Sequence, residues 1–540
     1  MRPLTLALTL TCSACQCGPG TVLLDGGPTF DDAGEPDAGD NVDSGAGDDA
    51  GAPSDAGELD AGELDGGAVA DAGAPVDAGT DAGTDAGTVV VTSDAGIPTG
   101  GVGWARVIGG SGWDDLGGVV VMPAGDVLIA GQLDYQVDVG CGPLAGTTRD
   151  AFIARYDGHD GGCRWSVRYG GPRDDGADTL TYDSTRDVLY VGGSFRYQQG
   201  SPVSFGGPAL SGGADNRELP FIAAYRPEPA GPQHLWSTRF LGEGRAFRSA
   251  VTPSGVAMGG TFYGSLVVGD AGVTRCCVSG DGTWVASMND DGTPRWSAGA
   301  RITGSGIDSV WPGALWRQQD VLKLGFSSPV AMELRDAGLP PGAHVATFGL
   351  DTGALRTTST LGAARDGGVV AASFVIAEPN GELTLAGTAW EGADLGNGPL
   401  VGYAEHLYVA RADANGVIAR AVTFHIEYGG VASFARDAAG RYVLLGTFRG
   451  ARQFGSFSLT SGGPNDNADD PLILVLSPDL STVLHAERFH TRSEDFMGGH
   501  LATTPWGSWI IAQHFVESIT VRGQTFTGPS GWNVLLTELQ

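Results

Sequence analysis

Few residues in this chain of 540 are arranged as chemistry needs them. No Ser stands in G-x-S-x-G, no H-E-x-x-H occurs, and the nine His are scattered, so nucleophilic and zinc-hydrolase sites have no signature here. "GEGRAF" and "GSGIDS" lack the third Gly of a dinucleotide turn, and no P-loop is present. What does recur is carboxylate. Asp115, Asp175, Asp308, Asp366 and Asp495 follow an acidic or Gly-rich corner at regular spacing, with Glu427 nearby in a further copy. One copy breaks the series by carrying Phe247 and Arg248 there. A second set, Asp150, Glu218, Asp281, Glu405 and Asp470, precedes an apolar run. Repeated carboxylates could form a ring that holds a cation, or each could cap its own turn by accepting backbone N–H bonds. Repetition in nearly every copy favours the caps. The loop Pro464–Asp470, "PNDNADD", holds Asp466, Asp469 and Asp470 and is the densest acidic stretch outside the N-terminal region. It is a weak Ca²⁺ candidate, because it lacks the distal Glu of an EF-hand loop. No cofactor is expected, with Ca²⁺ as the alternative.

Seven cysteines are present. Cys141 and Cys163 lie 22 residues apart within one copy and are expected to form a disulfide. Cys276 and Cys277 are adjacent and could form a vicinal disulfide or remain two thiols. Neither pair has the C-x-x-C spacing of a zinc or thioredoxin site.

The elements that would position these residues come from a repeat. Units open at Trp104, Trp165, Trp236 and Trp296, and weaker copies open near Thr357, Ala419 and His485. Each has a short strand, the acidic corner, and two apolar runs joined by a turn such as "PAGD" or "PNGE". The second run ends in Gly, and a last apolar strand follows. Gly is unusually abundant, 89 residues, which disfavours long helices. Four or five short strands per unit of about 60 residues is the pattern of a propeller blade. The expected fold is therefore all-β, a seven-bladed β-propeller over residues 101–540. Trp at one place in four units reads as packing between neighbours.

Residues 15–100 read as a disordered tether. "DAG" occurs ten times between Asp32 and Gly96, and residues 21–100 carry 19 acidic and no basic side chains, supplying −19 of the formal net charge of −32. Such a segment has too little apolar bulk to form a core. Residues 1–14 have the order of an export signal: Arg2, a short apolar stretch, then small residues. Ser13-Ala14-Cys15 resembles the lipobox of bacterial lipoproteins, which implies lipid attachment at Cys15. Cys12 stands where Leu is usual, and Cys12 and Cys17 are weaker rivals. An acidic chain with a single lysine, Lys323, is a poor prospect for nucleic acid or for anionic lipid surfaces.

The strands "GDVLIAG", "DVLYVGG", "GELTLAG" and "GRYVLLG", with the acidic corner before them, are similar to the β-propeller repeats of exported bacterial proteins, especially lipoproteins with Asp-Ala-Gly-rich tethers. The resemblance implies an outer-membrane lipoprotein of a Gram-negative cell envelope, periplasmic or surface-facing, with secretion as the alternative. The resemblance is specific for fold and carries little about function; the lack of a catalytic constellation points to a monomeric, non-enzymatic binding or scaffolding module with a protein or glycan partner, touching the membrane through its lipid only. Two rivals stand beside it. Quinone-dependent dehydrogenases use propellers with recurrent Trp, and some carry adjacent cysteines as at Cys276–Cys277. A lectin-like propeller could stack sugars on Trp113, Trp390 or Trp506.

Overall fold

The computed structural model describes residues 96–540, apart from 212–215, 269–271, 276–280, 304–309, 362, 365–369, 397, 401–404, 415, 463–468 and 492–497. Cys15, Cys276, Cys277, Asp308, Asp366, Asp466 and Asp495 lie outside the described residues, as do residues 1–14, expected to be an export signal, and almost all of residues 15–100, expected to be a tether.

Among the described residues every element is a strand, and the sheets are arranged as a β-propeller. Six blades are each cut from one contiguous stretch of chain. Blade 1 is Asp115–Val121, Val127–Asp134, Arg149–Tyr156 and Cys163–Tyr169, paired antiparallel in that order from the axis outward. Blades 2 to 6 repeat the order. Their innermost strands are Asp175–Asp183, Leu241–Thr252, Trp311–Gln318, Val370–Ala377 and Val431–Arg436. A closing sheet mixes both ends of the chain: Gly499–Thr503, Trp509–Val521 and Gln524–Leu539 are completed by Val102–Gly109. Here the expectation of seven units needs correction. A unit that opens on Trp begins with the outer strand of one sheet and continues into the next. Seven sequence units therefore become six contiguous blades and one composite sheet.

The innermost strands touch in cyclic order, and the closing sheet's Gly499–Thr503 touches both blade 6 and blade 1. Each hydrophobic cluster is drawn from two adjacent sheets. Leu128 and Ile153 of blade 1 meet Val191 and Phe221 of blade 2, and Val127 and Phe152 meet Ile510 and Val534 of the closing sheet. A blade is thus covered on both faces. That is why Val127–Gly131 and Tyr442–Phe448 are buried throughout instead of alternating.

The recurrent Trp link blade to blade. The indole N–H of Trp104, Trp165, Trp236 and Trp296 donates to the carbonyls of Gly158, Glu228, Asp290 and Leu350, each in the outer hairpin turn of the following blade. At Gly353 the turn needs a positive φ, and an added Cβ would sit 2.4 Å from the Trp296 ring. Only Gly satisfies both conditions.

A disulfide joins Cys141 to Cys163, with Cα atoms 5.3 Å apart. It ties the loop after the second strand of blade 1 to the start of its outer strand. The Tyr156 hydroxyl donates to the Val139 carbonyl at 2.6 Å beside it.

Candidate functional site: the axial cavity

The site begins with a backbone irregularity. The innermost strand of each of the six contiguous blades carries a β-bulge at the same place. Gly117, Asp178, Phe247, Ser373 and Ala432 are the extra residues in blades 1, 2, 3, 5 and 6, and Gly313 with Ala314 spans the bulge in blade 4. A bulge bends its strand and re-aims side chains. It also pushes a carbonyl into the neighbouring strand, which explains the Gly that ends the second apolar run. A Cβ on Gly131 would lie 2.1 Å from the Asp115 carbonyl oxygen, and one on Gly387 would lie 1.8 Å from that of Ala371. The innermost strand of the closing sheet, Gly499–Thr503, has no bulge, pairs Gly499 with Gln513, and so admits Gln513 and His514 where blade 1 has Gly131 and Gln132.

The innermost strands enclose a cavity of about 590 Å³ on the ring axis, lined by residues from all six blades and the closing sheet. Four polar side chains in it matter most. Nε2 of His514 lies 2.9 Å from Oδ1 of Asp115. Burial pushes the Asp115 carboxyl up, but the positive charge and hydrogen bond of His514, with help from His500 and the Leu116 N–H, outweigh it and bring it down to about 2. The cavity leaves this carboxylate accessible: 46 % of its side-chain surface stays open although it lies inside the ring. His500 donates from Nε2 to the Leu116 carbonyl at 2.7 Å. Burial, then the charges of His514 and Arg248, hold His500 down at about 4, so it is neutral at pH 7. Both imidazoles belong to the closing sheet and reach across to blade 1.

Arg248 of blade 3 is the fourth. Its Nε donates to the carbonyl of Gly313 at 2.8 Å and its Nη1 to that of Phe247 at 3.0 Å. Both acceptors are bulge residues, one in each of two neighbouring blades. The guanidinium lies 5.8 Å from the Phe374 ring. Burial lowers its pKa to about 10, which leaves it cationic. Among the described residues no carboxylate pairs with it, whereas Arg245 one turn of the pleat away grips Asp178 at 2.9 and 3.3 Å.

The corner carboxylates do not share one register position. Asp175 accepts the N–H of Gly171 at 2.6 Å and of Arg196 at 3.1 Å, an ordinary turn cap. The same two bonds in blade 1 belong to Asp114, from Gly110 at 2.6 Å and Asp134 at 2.9 Å. Asp115 lies one residue further on, opposite Gln132, where blade 2 has Gly176 opposite Ser194. That single step turns Asp115 into the cavity. Burial raises Asp175 to about 8 and Asp114 to about 6, against their backbone bonds.

In the second acidic set, Asp150 pairs with Arg168 at 2.7 Å, Glu218 with Arg196 at 3.0 Å and Asp470 with Arg488 at 3.0 Å. Glu405 accepts from Trp390 at 3.1 Å. Asp469 is held by Arg449 at 2.7 Å. Two of the three Ca²⁺ candidates are thus engaged with arginines, and among the described residues no three His, Cys, Asp or Glu side chains gather as a metal would need. Trp506 donates to Glu538 at 2.8 Å and stacks on His159. Trp113 is 58 % exposed and stacks on Trp532, which lines the cavity, with centroids 4.9 Å apart.

Chemically, Asp115 and His514 form a carboxylate–imidazole pair of the kind that can move a proton. Among the described residues no hydroxyl or thiol bonds to either imidazole, so the pair has no nucleophile attached. Arg248 was visible in the sequence only as the residue that broke the acidic series. His500 and His514 carried no signal, because they meet only through ring closure.

No protein-family profile matches the chain, and no curated protein does either. Solved structures do resemble it. They include the quinohemoprotein alcohol dehydrogenase ADHIIG from Pseudomonas putida HK5, at 10 % identity and TM-score 0.36, covering 81 % of this chain and 76 % of that one. BamB from Moraxella catarrhalis is similar at 12 % identity and TM-score 0.30, covering 80 % and 85 %. The α-L-arabinofuranosidase Arb93A from Fusarium graminearum is similar at 10 % identity and TM-score 0.38, covering 81 % and 97 %.

Proposed function

We propose that this protein is a non-enzymatic binding or scaffolding module of the cell envelope, a propeller of seven blades when the closing sheet is counted. It would be lipid-anchored at Cys15 and held off the outer membrane by the Asp-Ala-Gly tether. The anchor rests on Ser13-Ala14-Cys15 and the apolar stretch before it. A Cys15→Ser variant that still partitioned into detergent would remove it.

One observation supports binding above all. Trp113, Tyr135, Leu241, Tyr263 and Tyr428 are five of the seven large apolar side chains exposed among the described residues. They lie where an innermost strand begins or its partner strand ends, which antiparallel order puts on one face of the ring. Aromatics gathered on one face around a cavity mouth suit a partner surface. Photo-crosslinking residues placed at Trp113 and Tyr428 should give a discrete adduct with solubilised envelope material. The same residue at Val417, in an outer hairpin turn, should not. Equal adducts at all three positions, or none at any, would overturn the reading. A glycan partner is the second reading, favoured by the flat, exposed indole of Trp113 on Trp532. Loss of binding to a neutral oligosaccharide panel in Trp113→Ala would single it out.

A further inference from the structure

We infer that the axial cavity is a binding site for a small organic carboxylate, with Arg248 as its anion anchor. The argument starts from what Arg248 lacks. A guanidinium offers five N–H donors in a planar fork that matches a carboxylate. Its two intramolecular acceptors, the carbonyls of Gly313 and Phe247, are both neutral. They leave most of the Nη edge without a partner among the described residues. A half-buried cation inside a ring is ordinarily paired with a carboxylate, as Arg245 is with Asp178. The carbonyl cradle instead fixes the direction of the side chain, and two separate blades build it. The wall of the cavity offers the rest of a site. Ser373, the bulge residue of blade 5, and Ser249, whose hydroxyl is 3.0 Å from that of Thr179, supply polar atoms. Phe247, Phe374, Leu315 and Leu180 supply an apolar surface. A volume of about 590 Å³ falls within the range that holds small ligands.

The cavity also discriminates. Asp115 stays ionised and is engaged by His514. Asp115 only accepts and already holds His514, so that pair offers an incoming carboxylate no free donor, whereas Arg248 has an open donor fork. The ligand class is therefore a monocarboxylate with an apolar or aromatic body. This site is inside the ring, and its argument does not rest on the exposed aromatic face, although Trp532 lines the cavity and stacks on Trp113.

The test uses the full chain and isothermal titration with three probes: N-acetyl-L-phenylalanine, its uncharged amide, and inorganic phosphate. The acid should bind, and the amide should bind at least roughly tenfold more weakly, the loss of one charge-assisted contact. Arg248→Met should abolish acid binding. Because Arg248 is half-buried and bonds only two neutral carbonyls, the variant should change the melting temperature of the unliganded protein little. Arg248→Lys, which keeps the charge but not the fork, should retain weakened binding and guards against a variant that fails to fold. Equal affinity for acid and amide, acid binding untouched in Arg248→Met, or binding of phosphate without the acid would each overturn the proposal.

Discussion

Gly387→Ala should be one of the most damaging single-methyl additions in the molecule. Ala normally stabilises at a glycine whose backbone tolerates it, by about 0.4–1 kcal/mol through the unfolded chain. Position 387 reverses the sign. The new Cβ would stand 1.8 Å from the Ala371 oxygen and 2.9 Å from its carbonyl carbon. To take that oxygen from 1.8 Å to even 3.0 Å the bulged strand of blade 5 must retreat by 1.2 Å. The strand cannot retreat freely. Ala372 behind it is 5 % exposed and packs with Ala314 and Val345 of blade 4. Overpacking of this kind costs about 1–3 kcal/mol, and a weakened ladder bond beside the bulge adds about 1 kcal/mol. We expect about 3 kcal/mol in all, a fall of roughly 3–6 °C in melting temperature for a domain this large. Urea unfolding followed by tryptophan fluorescence would measure it, with Gly338→Ala as control. A Cβ at 338 meets nothing within 4 Å, so that variant should be neutral or slightly stabilised. A Gly387→Ala protein within about 0.5 kcal/mol of the parent would refute the claim that the bulge carbonyl dictates glycine.

Other outcomes follow from the same geometry. Breaking the Cys141–Cys163 bond with Cys141→Ser should cost about 3 kcal/mol in the chain-entropy account of a loop of this size, read as a lower urea midpoint that reductant does not shift further. Asp175 has a folded pKa raised to about 8, above its unfolded value of 3.8, so its contribution to stability is complete below pH 3.8 and is lost as pH rises through 8. Asp175→Asn should flatten the decline in melting temperature between pH 4 and 8, and an unchanged slope would count against it. His500 is the opposite case. Its pKa falls from 6.5 to about 4, so its contribution is present above pH 6.5 and lost as pH drops through 4. His500→Gln should weaken the fall in melting temperature between pH 6.5 and 4, and an unchanged acid limb would count against it. Trp296→Phe keeps most of the buried ring but loses the 2.8 Å bond to Leu350, which should cost about 1 kcal/mol, whereas Trp296→Ala should cost about 3–5 kcal/mol. Equal losses in the two would mean that packing contributes nothing beyond the bond.

The sequence by itself determined whatever repeats in every unit, because one local rule acts each time. Alternating short apolar runs and a glycine-rich composition sufficed for an all-β propeller, and the Trp at 104, 165, 236 and 296 were legible as inter-blade packing. The proximity of Cys141 and Cys163 followed from their sharing one unit. The glycine after the second run was visible as a recurrence, but its cause, a carbonyl driven inward by a bulge, required the register. Tertiary structure alone decided what depends on a one-residue phase. Asp114 and Asp115 are neighbours in a sequence of two aspartates, and only the bulge and the corner bonds tell which one caps the turn and which one faces the cavity. The closing sheet could not be read from either end of the chain, since Val102–Gly109 completes strands more than 400 residues away. His500 and His514 reach Asp115 only through that closure. The cradle of Arg248 likewise comes from two separate blades, Phe247 in one and Gly313 in the next. Local pattern specifies strands and turns, but a ring brings together residues that no local pattern relates.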